Sequence, residues 1–181
     1  ENGCLFKLDL KKVMWSKGNN NERIRIAKLV EDNETVIDMF AGIGYFSIPI
    51  GVHSNAKQIY SIEINPNSFH YLKENIKLNK ISNITPLLGD CINITPDYKA
   101  DRIIMGYVKT THHYLKVAID SLNKGGVIHY HETVPEKLMD IRPINRIKEL
   151  AGDRQVEFLK LNKVKKYSPG VFHVVCDARI N

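Results

Sequence analysis

Three carboxylates follow three apolar segments of the chain at a spacing that suits a nucleoside ligand. Asp38 precedes the glycine turn Ala41-Gly42-Ile43-Gly44, Glu63 follows nineteen residues after Gly44, and Asp90 comes next. Glycines let a backbone approach a ligand closely, and a carboxylate after the next strand can accept hydrogen bonds from ribose hydroxyls. An aspartate after the third strand can accept from an adenine amino group. The pattern predicts a nucleoside-binding edge, and the alternative is a turn that serves structure alone.

Asp38 discriminates between two classes of nucleoside cofactor. It stands four residues before Gly42, where its negative charge would repel the pyrophosphate of a dinucleotide. The same carboxylate suits the ammonium group on the amino-acid part of S-adenosylmethionine. We therefore predict S-adenosylmethionine as the cofactor.

Apolar periodicity places these residues on a chain of alternating strands and helices. We predict strands at 35–39, 58–62, 84–88, 102–105 and 126–131, and helices at 22–30, 45–53, 66–79, 112–122 and 144–151. This alternation indicates an α/β fold with a doubly wound, mostly parallel sheet. Two β-rich runs, 155–165 and 170–179, predict a C-terminal antiparallel hairpin at the sheet edge. Near the start, apolar Phe6, Leu8 and Leu10 alternate with polar residues and predict a further strand.

The net charge of +6 is distributed unevenly. Residues 1–30 hold seven Lys or Arg against three acidic residues, and residues 137–181 hold ten against five, so the centre is slightly acidic. A central cofactor and a polyanion across the outer surface would account for this pattern, and nucleic acid is the expected polyanion. The alternative is that the lysines only solvate exposed helix faces.

Composition excludes several classes of protein. With 43% apolar and 25% charged residues, the chain is typical of a folded domain. Cys4, Cys91 and Cys176 form no CxxC pair, so we expect no disulfide framework and a reducing, cytoplasmic location. The most apolar window, 36–52, is interrupted by Asp, Gly and Pro and predicts no membrane segment. No GxSxG or Walker sequence supports covalent hydrolase or nucleoside triphosphatase chemistry.

His129 and His131 share one face of a predicted strand beside Glu132, an arrangement that could bind a metal ion. A third ligand at a recognisable spacing is missing, so we predict no metal site. We favour polar side chains that position a substrate or each other.

Five stretches spread over nearly the whole chain form a motif set: Phe6–Asp9, Met14–Asn19 through Glu22-Arg23, Asp38–Pro49, Glu63–Pro66 and Gly125–Tyr130. With them the chain resembles the tRNA (guanine-N1)-methyltransferases that act beside the anticodon, and their wybutosine-synthesising relative. The methyltransferase branch typically has Asn-Leu-Pro or Asn-Pro-Pro at the tip of the fourth strand, where this chain has Gly106-Tyr107-Val108. Together with His131-Glu132 and Val134–Lys137, this departure resembles the branch that transfers the 3-amino-3-carboxypropyl group of S-adenosylmethionine.

The resemblance implies a class I methyltransferase-like, Rossmann-like fold. It also implies a transferase of wybutosine biosynthesis that modifies the tricyclic guanine derivative 4-demethylwyosine in the anticodon stem-loop of tRNA-Phe. Motif positions of the family imply cofactor contacts by Ser16, Arg23, Glu63, Asp90 and Cys91. The full set expected to bind the cofactor is Ser16, Arg23, Asp38, Phe40, Gly42, Gly44, Glu63, Ile64, Asp90, Cys91 and Gly106.

The orientation of the sulfonium would select the transferred group. All three carbons attached to a sulfonium are activated, so the product depends on which carbon the pocket presents to the substrate. We expect Ser16 and Arg23 to close over the adenosine, and the loop with Gly106 to expose the amino-acid part and bury the methyl group.

For the catalytic roles we expect a platform for the unstacked base and a proton acceptor. Tyr107 is the expected platform, with Phe46 as an alternative, and His131 or Glu132 is the expected acceptor.

Two other functions stay open: a tRNA (guanine-N1)-methyltransferase of the same fold, and a non-catalytic tRNA-binding module. We expect a monomer in which residues 1–31 form a lead-in that closes over the cofactor and residues 32–181 form the catalytic domain. The N-terminal tRNA-binding region of the family is expected to lie outside this chain.

Overall fold

The computed structural model describes residues 1–13, 15 and 17–181. In this part of the chain the strands form one seven-stranded sheet with the order β3-β2-β1-β4-β5-β7-β6. The strands are β1 (Thr35–Asp38), β2 (Gln58–Glu63), β3 (Ile84–Leu88), β4 (Ala100–Met105), β5 (Leu122–Pro135), β6 (Val156–Ser168) and β7 (Val171–Ile180). The helices are α1 (Asn20–Leu29), α2 (Ser47–His53), α3 (Pro66–Leu78), α4 (Cys91–Ile94), α5 (Leu115–Ser121) and α6 (Arg142–Ala151).

The parallel part of the sheet has its topological switch point between β1 and β4. β1 pairs in parallel with both β2 and β4, because the chain first winds outward to β3 and then returns to the other side of β1. A crevice opens at such a switch point, beyond the carboxyl ends of the strands, and ligands bind there in open α/β sheets. The predicted doubly wound fold is confirmed: Asp38 and Glu63 are the last residues of β1 and β2, and Asp90 comes two residues after β3.

Apolar side chains pack helices on both faces of the sheet. Val36 and Ile104 pack against residues of α1 and α2, whereas Ile37 and Ile103 pack against residues of α5 and α6. Neighbouring residues of a strand point to opposite faces, which explains the unbroken apolar sequence of these central strands. In the described residues no helix is long and apolar enough to cross a membrane.

The C-terminal antiparallel hairpin is also confirmed. β7 pairs with β5 from Gly126↔Ile180 to Pro135↔Val171, and β6 lies outside β7. The last pair between β4 and β5 joins Met105 to Tyr130, so β5 continues past the end of β4. We call residues 131–135, 171–175 and 162–168 the three-stranded extension; it rises beside the edge that carries the predicted site.

The strand predicted from Phe6, Leu8 and Leu10 is wrong. This segment is irregular, and its backbone is held by one side chain of α3 and by that of the residue after α3, instead of a neighbouring strand. The N–H groups of Leu5 and Lys7 donate to the Oδ1 atoms of Asn79 and Asn75, at 2.8 and 2.7 Å. Alternation of apolar and polar residues therefore arises here from an irregular segment with one side against the domain.

Helix boundaries differ more modestly from the predictions. The helix expected at 45–53 begins at Ser47, and the one expected at 112–122 is a short 3-10 helix, Thr111–Tyr114, followed by α5. The short helix α4 was not predicted, because four residues give no periodic signal.

Candidate functional site

The glycine turn after β1 brings backbone atoms to the cofactor edge. Gly42 and Gly44 have φ angles of 58° and 98°, in the left-handed region that glycine adopts most readily. A Cβ atom at Gly44 would lie 2.5 Å from Cγ1 of Ile48, and one at Gly42 would lie 2.5 Å from the ring of Tyr45. Any side chain at either position would force the turn to change.

Glu63, at the end of β2, is fixed by two backbone donors. Its Oε2 accepts from the N–H of Gly42 at 2.7 Å, and its Oε1 accepts from the N–H of Asn65 at 2.6 Å. The side chain is only partly buried. A carboxylate oxygen has a further lone pair, so Glu63 can still accept hydrogen bonds from two neighbouring hydroxyls. The carboxylate of Glu63 has a fixed orientation and only accepts hydrogen bonds, which suits the two hydroxyls of a ribose.

Asp90 follows β3 on the same edge as Glu63. The register places Leu88 opposite Glu63, and the N–H of Gly89 donates to the carbonyl of Glu63 at 3.0 Å. Asp90 caps α4 by accepting from the N–H of Ile92 at 2.9 Å, which fixes its carboxylate while leaving it partly exposed. The structure thus brings the two predicted adenosine contacts together.

Cys91 and Ile64 flank these acids. Burial, and secondarily the charge of Asp90, raise the pKa of the Cys91 thiol to about 12, so it stays neutral and offers an apolar contact. Ile64 directly follows Glu63 and is 64% exposed, which leaves its side chain available to cover a ligand.

Asp38 lies beneath the glycine turn. Its Oδ2 accepts from Oγ of Ser47 at 2.7 Å, and Oγ of Ser61 donates to Oγ of Ser47 at 2.7 Å. Burial raises the pKa of Asp38 to about 6, against the opposing effect of the Ser47 hydrogen bond. Asp38 is fully buried, so this geometry shows it ordering the start of α2; a contact with an ammonium group stays a prediction.

Aromatic rings surround the end of β4. The ring of Phe40 stacks on Tyr107 with centroids 5.4 Å apart and meets Tyr114 edge-on at 5.1 Å. Tyr107 is 41% exposed. A Cβ atom at Gly106 would lie 2.6 Å from Cε2 of Phe46, so that ring occupies the space that a side chain at position 106 would need.

Arg23 of α1 connects the lead-in to the glycine turn. Its guanidinium lies 4.7 Å from the ring centroid of Trp15 and 4.8 Å from that of Tyr45, and Nη1 donates to both carboxylate oxygens of Glu1 at 3.0 Å. Arg23 itself is buried. Ser16, which was predicted to bind the cofactor, lies outside the described residues.

Comparison with known proteins assigns the family. Residues 1–159 match the TRM5/TYW2 methyltransferase domain. The chain belongs to this family.

The similarity to individual family members extends over the whole chain. The tRNA(Phe) (4-demethylwyosine(37)-C(7)) aminocarboxypropyltransferase of Methanocaldococcus jannaschii is 53% identical over 99% of this chain, which spans 73% of that protein. The tRNA (guanine(37)-N(1))-methyltransferase Trm5b of Pyrococcus abyssi is 42% identical over 100% of this chain, which spans only 54% of that protein. The crystal structure of M. jannaschii TYW2 in complex with AdoMet superposes with a TM-score of 0.93 and 52% identity, covering 100% of this chain and 84% of that one.

The predicted proton acceptors lie below the surface of this family member. His131 is fully buried; its Nδ1 lies 3.0 Å from Nε2 of His173, and its ring meets Phe46 at 5.3 Å. Burial lowers the pKa of His131 well below its usual value, so the ring is neutral. The structure places His131 beneath Phe46, and a role as proton acceptor stays a prediction.

Glu132 points to the opposite face of β5 from His131 and is also buried. Its Oε1 lies 2.6 Å from Nε of Arg142 and 2.7 Å from Nη1 of Arg146. This double ion pair joins β5 to α6. Of the predicted catalytic residues, Tyr107 alone reaches the surface at the edge; the role of Glu132 stays a prediction.

His129 has polar partners within the sheet. Its ring lies 2.8 Å from Nη1 of Arg102 and 2.7 Å from Oδ1 of Asp177. Within the described ranges, no three metal-ligating side chains come together.

The sequence reasoning missed three polar residues that support the site: Ser47, Ser61 and Asn75. All three are buried, and Nδ2 of Asn75 donates to the carbonyl of Ile43 in the glycine turn at 2.9 Å. The signal was available, because small polar residues at positions where periodicity predicts burial must find partners there.

Proposed function

We propose that this chain transfers the 3-amino-3-carboxypropyl group of S-adenosylmethionine to 4-demethylwyosine next to the anticodon of tRNA-Phe. The similar M. jannaschii protein carries the name of this activity, and the TYW2 structure with a TM-score of 0.93 is a complex with AdoMet. We therefore assign S-adenosylmethionine as the donor and tRNA as the acceptor.

The edge fits this donor on its own geometry. The glycine turn with its two left-handed residues, Gly42 and Gly44, lies at this edge, and Glu63 presents an oriented acceptor where a ribose would need one. Asp90 lies next to it for an adenine amino group, with neutral Cys91 beside it. Bound at this edge, S-adenosylmethionine supplies a sulfonium whose three attached carbons are all open to nucleophilic attack.

The residues at the tip of β4 are the observation that favours transfer of the aminocarboxypropyl group. Gly106 has no side chain, and the ring of Phe46 packs against it. Tyr107 follows with an exposed ring supported by Phe40. The methyltransferase branch that the chain resembles typically has Asn-Leu-Pro or Asn-Pro-Pro at this tip, and Gly106-Tyr107-Val108 lacks that asparagine. We infer that this loop orients the amino-acid part of the donor toward the base and covers its methyl group.

The remaining roles are assigned as follows. We propose that Tyr107 is the platform for the unstacked base, and that Arg23 and Ser16 belong to a lead-in, residues 1–31, that closes over the donor. Arg23 supports this because it already joins Trp15 to Tyr45 of the glycine turn. Proton removal from the base is assigned to His131 or Glu132.

We further propose that the chain acts as a monomer in the cytoplasm on the anticodon stem-loop. Three free, buried cysteines suit a reducing compartment.

The deciding experiment is mass spectrometry of tRNA-Phe that carries 4-demethylwyosine, after incubation with the protein and S-adenosylmethionine. Transfer of the aminocarboxypropyl group predicts a gain of about 101 Da in the modified base together with release of methylthioadenosine. A gain of about 14 Da on guanosine would instead assign the methyltransferase activity of Trm5b, and the orientation inferred from Gly106 would be wrong.

A third outcome is also informative. If the protein binds tRNA but calorimetric titration detects no binding of S-adenosylmethionine, the chain is a non-catalytic binding module. Tyr107→Ala and His131→Ala test the roles beyond the donor: unchanged turnover together with unchanged donor affinity would contradict both assignments.

A further inference from the structure

The outer strand of the three-stranded extension has an unusual distribution of charge. In the described part of the chain, β6 is the last strand in the sheet and pairs only with β7. Its upper part, residues 162–168, contains three lysines and no acidic residue. Because this part lies beyond the end of β4, its lysines stand beside the edge that binds the donor.

Protection of an open sheet edge is the common reason for lysines in an edge strand. In β6, the positions of the lysines do not fit a role in edge protection. The lower part of the strand exposes Phe158 and Leu159, at 51% and 40%, yet next to them stand only Lys160 and the acidic Glu157. The register shifts three times along β6, which already disfavours pairing with another strand. The lysines are concentrated near the donor edge, not near the apolar part.

Most arginines of the same C-terminal segment contact their own chain. Arg142 and Arg146 bind Glu132, and Arg154 donates to several backbone carbonyls. Lys163 and Lys166 of upper β6 differ in their exposure to solvent. Lys166 is exposed, and Lys163 is 44% exposed, with its Nζ 3.4 Å from the ring centroid of Phe172 and 3.5 Å from the exposed Glu136. An exposed ion pair of this kind is weak and exchanges readily with another anion.

An aromatic residue completes this surface. Tyr167, next to Lys166, is 46% exposed beside the turn that joins β6 to β7. Unpaired bases stack on such rings while neighbouring cations contact the phosphates, which is the general arrangement of single-stranded nucleic-acid sites.

We propose that Lys163, Lys166 and Tyr167, here called the basic edge, bind the sugar–phosphate backbone of the RNA loop that carries the target base. The two lysines contact phosphates and Tyr167 stacks on an unpaired base next to the target. This inference rests on the proposed function for the presence of an RNA substrate, and adds where the protein contacts it.

The test compares two double variants of the protein. Lys163→Ala/Lys166→Ala removes two charges from the basic edge, and Lys57→Ala/Lys124→Ala removes two exposed lysines at the opposite, amino end of the strands. Affinity for the anticodon stem-loop is measured by fluorescence anisotropy over a series of salt concentrations. The logarithm of the binding constant falls as the logarithm of the salt concentration rises, and each phosphate contact in a single strand contributes about −0.7 to this slope. Loss of two contacts in the first variant should therefore make the slope shallower by about 1.4. The control variant should keep it.

Turnover gives a second readout. Loss of contacts made equally before and during the reaction raises KM for the RNA and leaves kcat unchanged. Affinity for S-adenosylmethionine should also stay unchanged in the Lys163→Ala/Lys166→Ala variant. Tyr167→Ala should weaken binding of the loop roughly tenfold and leave binding of a blunt RNA duplex unaffected, because stacking needs an unpaired base.

Equal salt slopes for the two double variants would overturn the proposal, and self-association of the Lys163→Ala/Lys166→Ala variant in light scattering would assign the lysines to edge protection. Failure of the proposed function is separate. If tRNA gains no mass but the slope still becomes shallower by the expected amount, the basic edge binds RNA and the assigned activity is wrong.

Discussion

At the scale of single residues, Glu63 offers the most direct test of donor binding. Its two oxygens each accept one backbone N–H, and ribose hydroxyls would use the remaining lone pairs. Glu63→Gln replaces one acceptor oxygen by a donor that faces a backbone N–H. Hydrogen bonds to charged groups contribute about 1.5–3 kcal/mol, so affinity for S-adenosylmethionine should fall roughly 10- to 100-fold in calorimetry.

The same substitution on α3 is the matched control. Glu74 is partly exposed and pairs with the exposed Lys7, so Glu74→Gln should leave donor affinity unchanged. Equal affinities for the wild type and Glu63→Gln would remove Glu63 from the site.

Substitutions at Gly44 and Gly170 distinguish the cost of a left-handed backbone from the cost of a steric clash. In Gly44→Ala the new Cβ meets Ile48 at 2.5 Å and Leu72 at 3.2 Å, in addition to the cost of a φ of 98°. Gly170→Ala carries a similar φ cost at 70° but meets no atom within 4 Å. Overpacking costs about 1–3 kcal/mol, so in urea unfolding Gly44→Ala should lose that much more stability than Gly170→Ala. Equal losses of stability in the two variants would show that the glycine turn accommodates the new Cβ atom without a steric cost.

At the scale of elements, Asn75 of α3 joins the lead-in to the glycine turn. Its Oδ1 accepts from the N–H of Lys7 at 2.7 Å, and its Nδ2 donates to the carbonyl of Ile43 at 2.9 Å. Asn75→Ala leaves both backbone groups without this partner, at a cost of about 1–3 kcal/mol each when such groups are buried. We expect lower stability in urea, faster amide exchange in residues 1–13, and weaker binding of S-adenosylmethionine.

Asn83→Ala is the control for this element. Nδ2 of Asn83 donates to the carbonyl of Ala56 at 2.7 Å, at the amino end of the strands and away from the site. It should lower stability without changing donor affinity. If Asn75→Ala behaves in the same way, α3 supports the fold but not the glycine turn.

The elements also show what the sequence could predict. β1 to β4 and the edge that follows them could be predicted, because apolar strands, glycine turns and acids are local patterns. The segment around Leu8 could not, because its partners Asn75 and Asn79 lie some seventy residues away in the chain. A period of two shows only that one side is buried, and the structure decides whether a strand or a helix covers it.

At the scale of the whole molecule, the distribution of charge along the sequence does not show which basic residues are exposed. The basic N- and C-terminal segments predicted a surface for a polyanion. In the N-terminal segment, however, Arg23 and Arg25 form ion pairs with Glu1, Glu22 and Asp177. Counting charges cannot distinguish an arginine in an internal ion pair from an exposed lysine, and that distinction required the tertiary structure. Burial of His131 was equally invisible, since its partner His173 belongs to a strand forty-two residues later.

Those two histidines contribute to the dependence of stability on pH. Burial lowers the pKa of His173 from 6.5 to about 4, and that of His131 well below 6.5. Between these values the unfolded chain binds more protons than the folded one, so the free energy of unfolding falls as pH decreases from 6.5 toward 4. Asp38, with its pKa raised from 3.8 to about 6, acts in the opposite direction between those values.

Two histidines with a lowered pKa outweigh one aspartate with a raised pKa, so urea unfolding should show a net loss of stability between pH 7 and pH 5. His173→Gln keeps a polar side chain beside His131 but removes one titrating group, and should reduce this loss to less than half. His70→Gln, at an exposed position of α3, should reproduce the wild-type loss. An undiminished loss in His173→Gln would mean that protonation of the buried histidine pair is not what destabilises the fold in acid, and that the β5–β7 interface opens to water before it titrates.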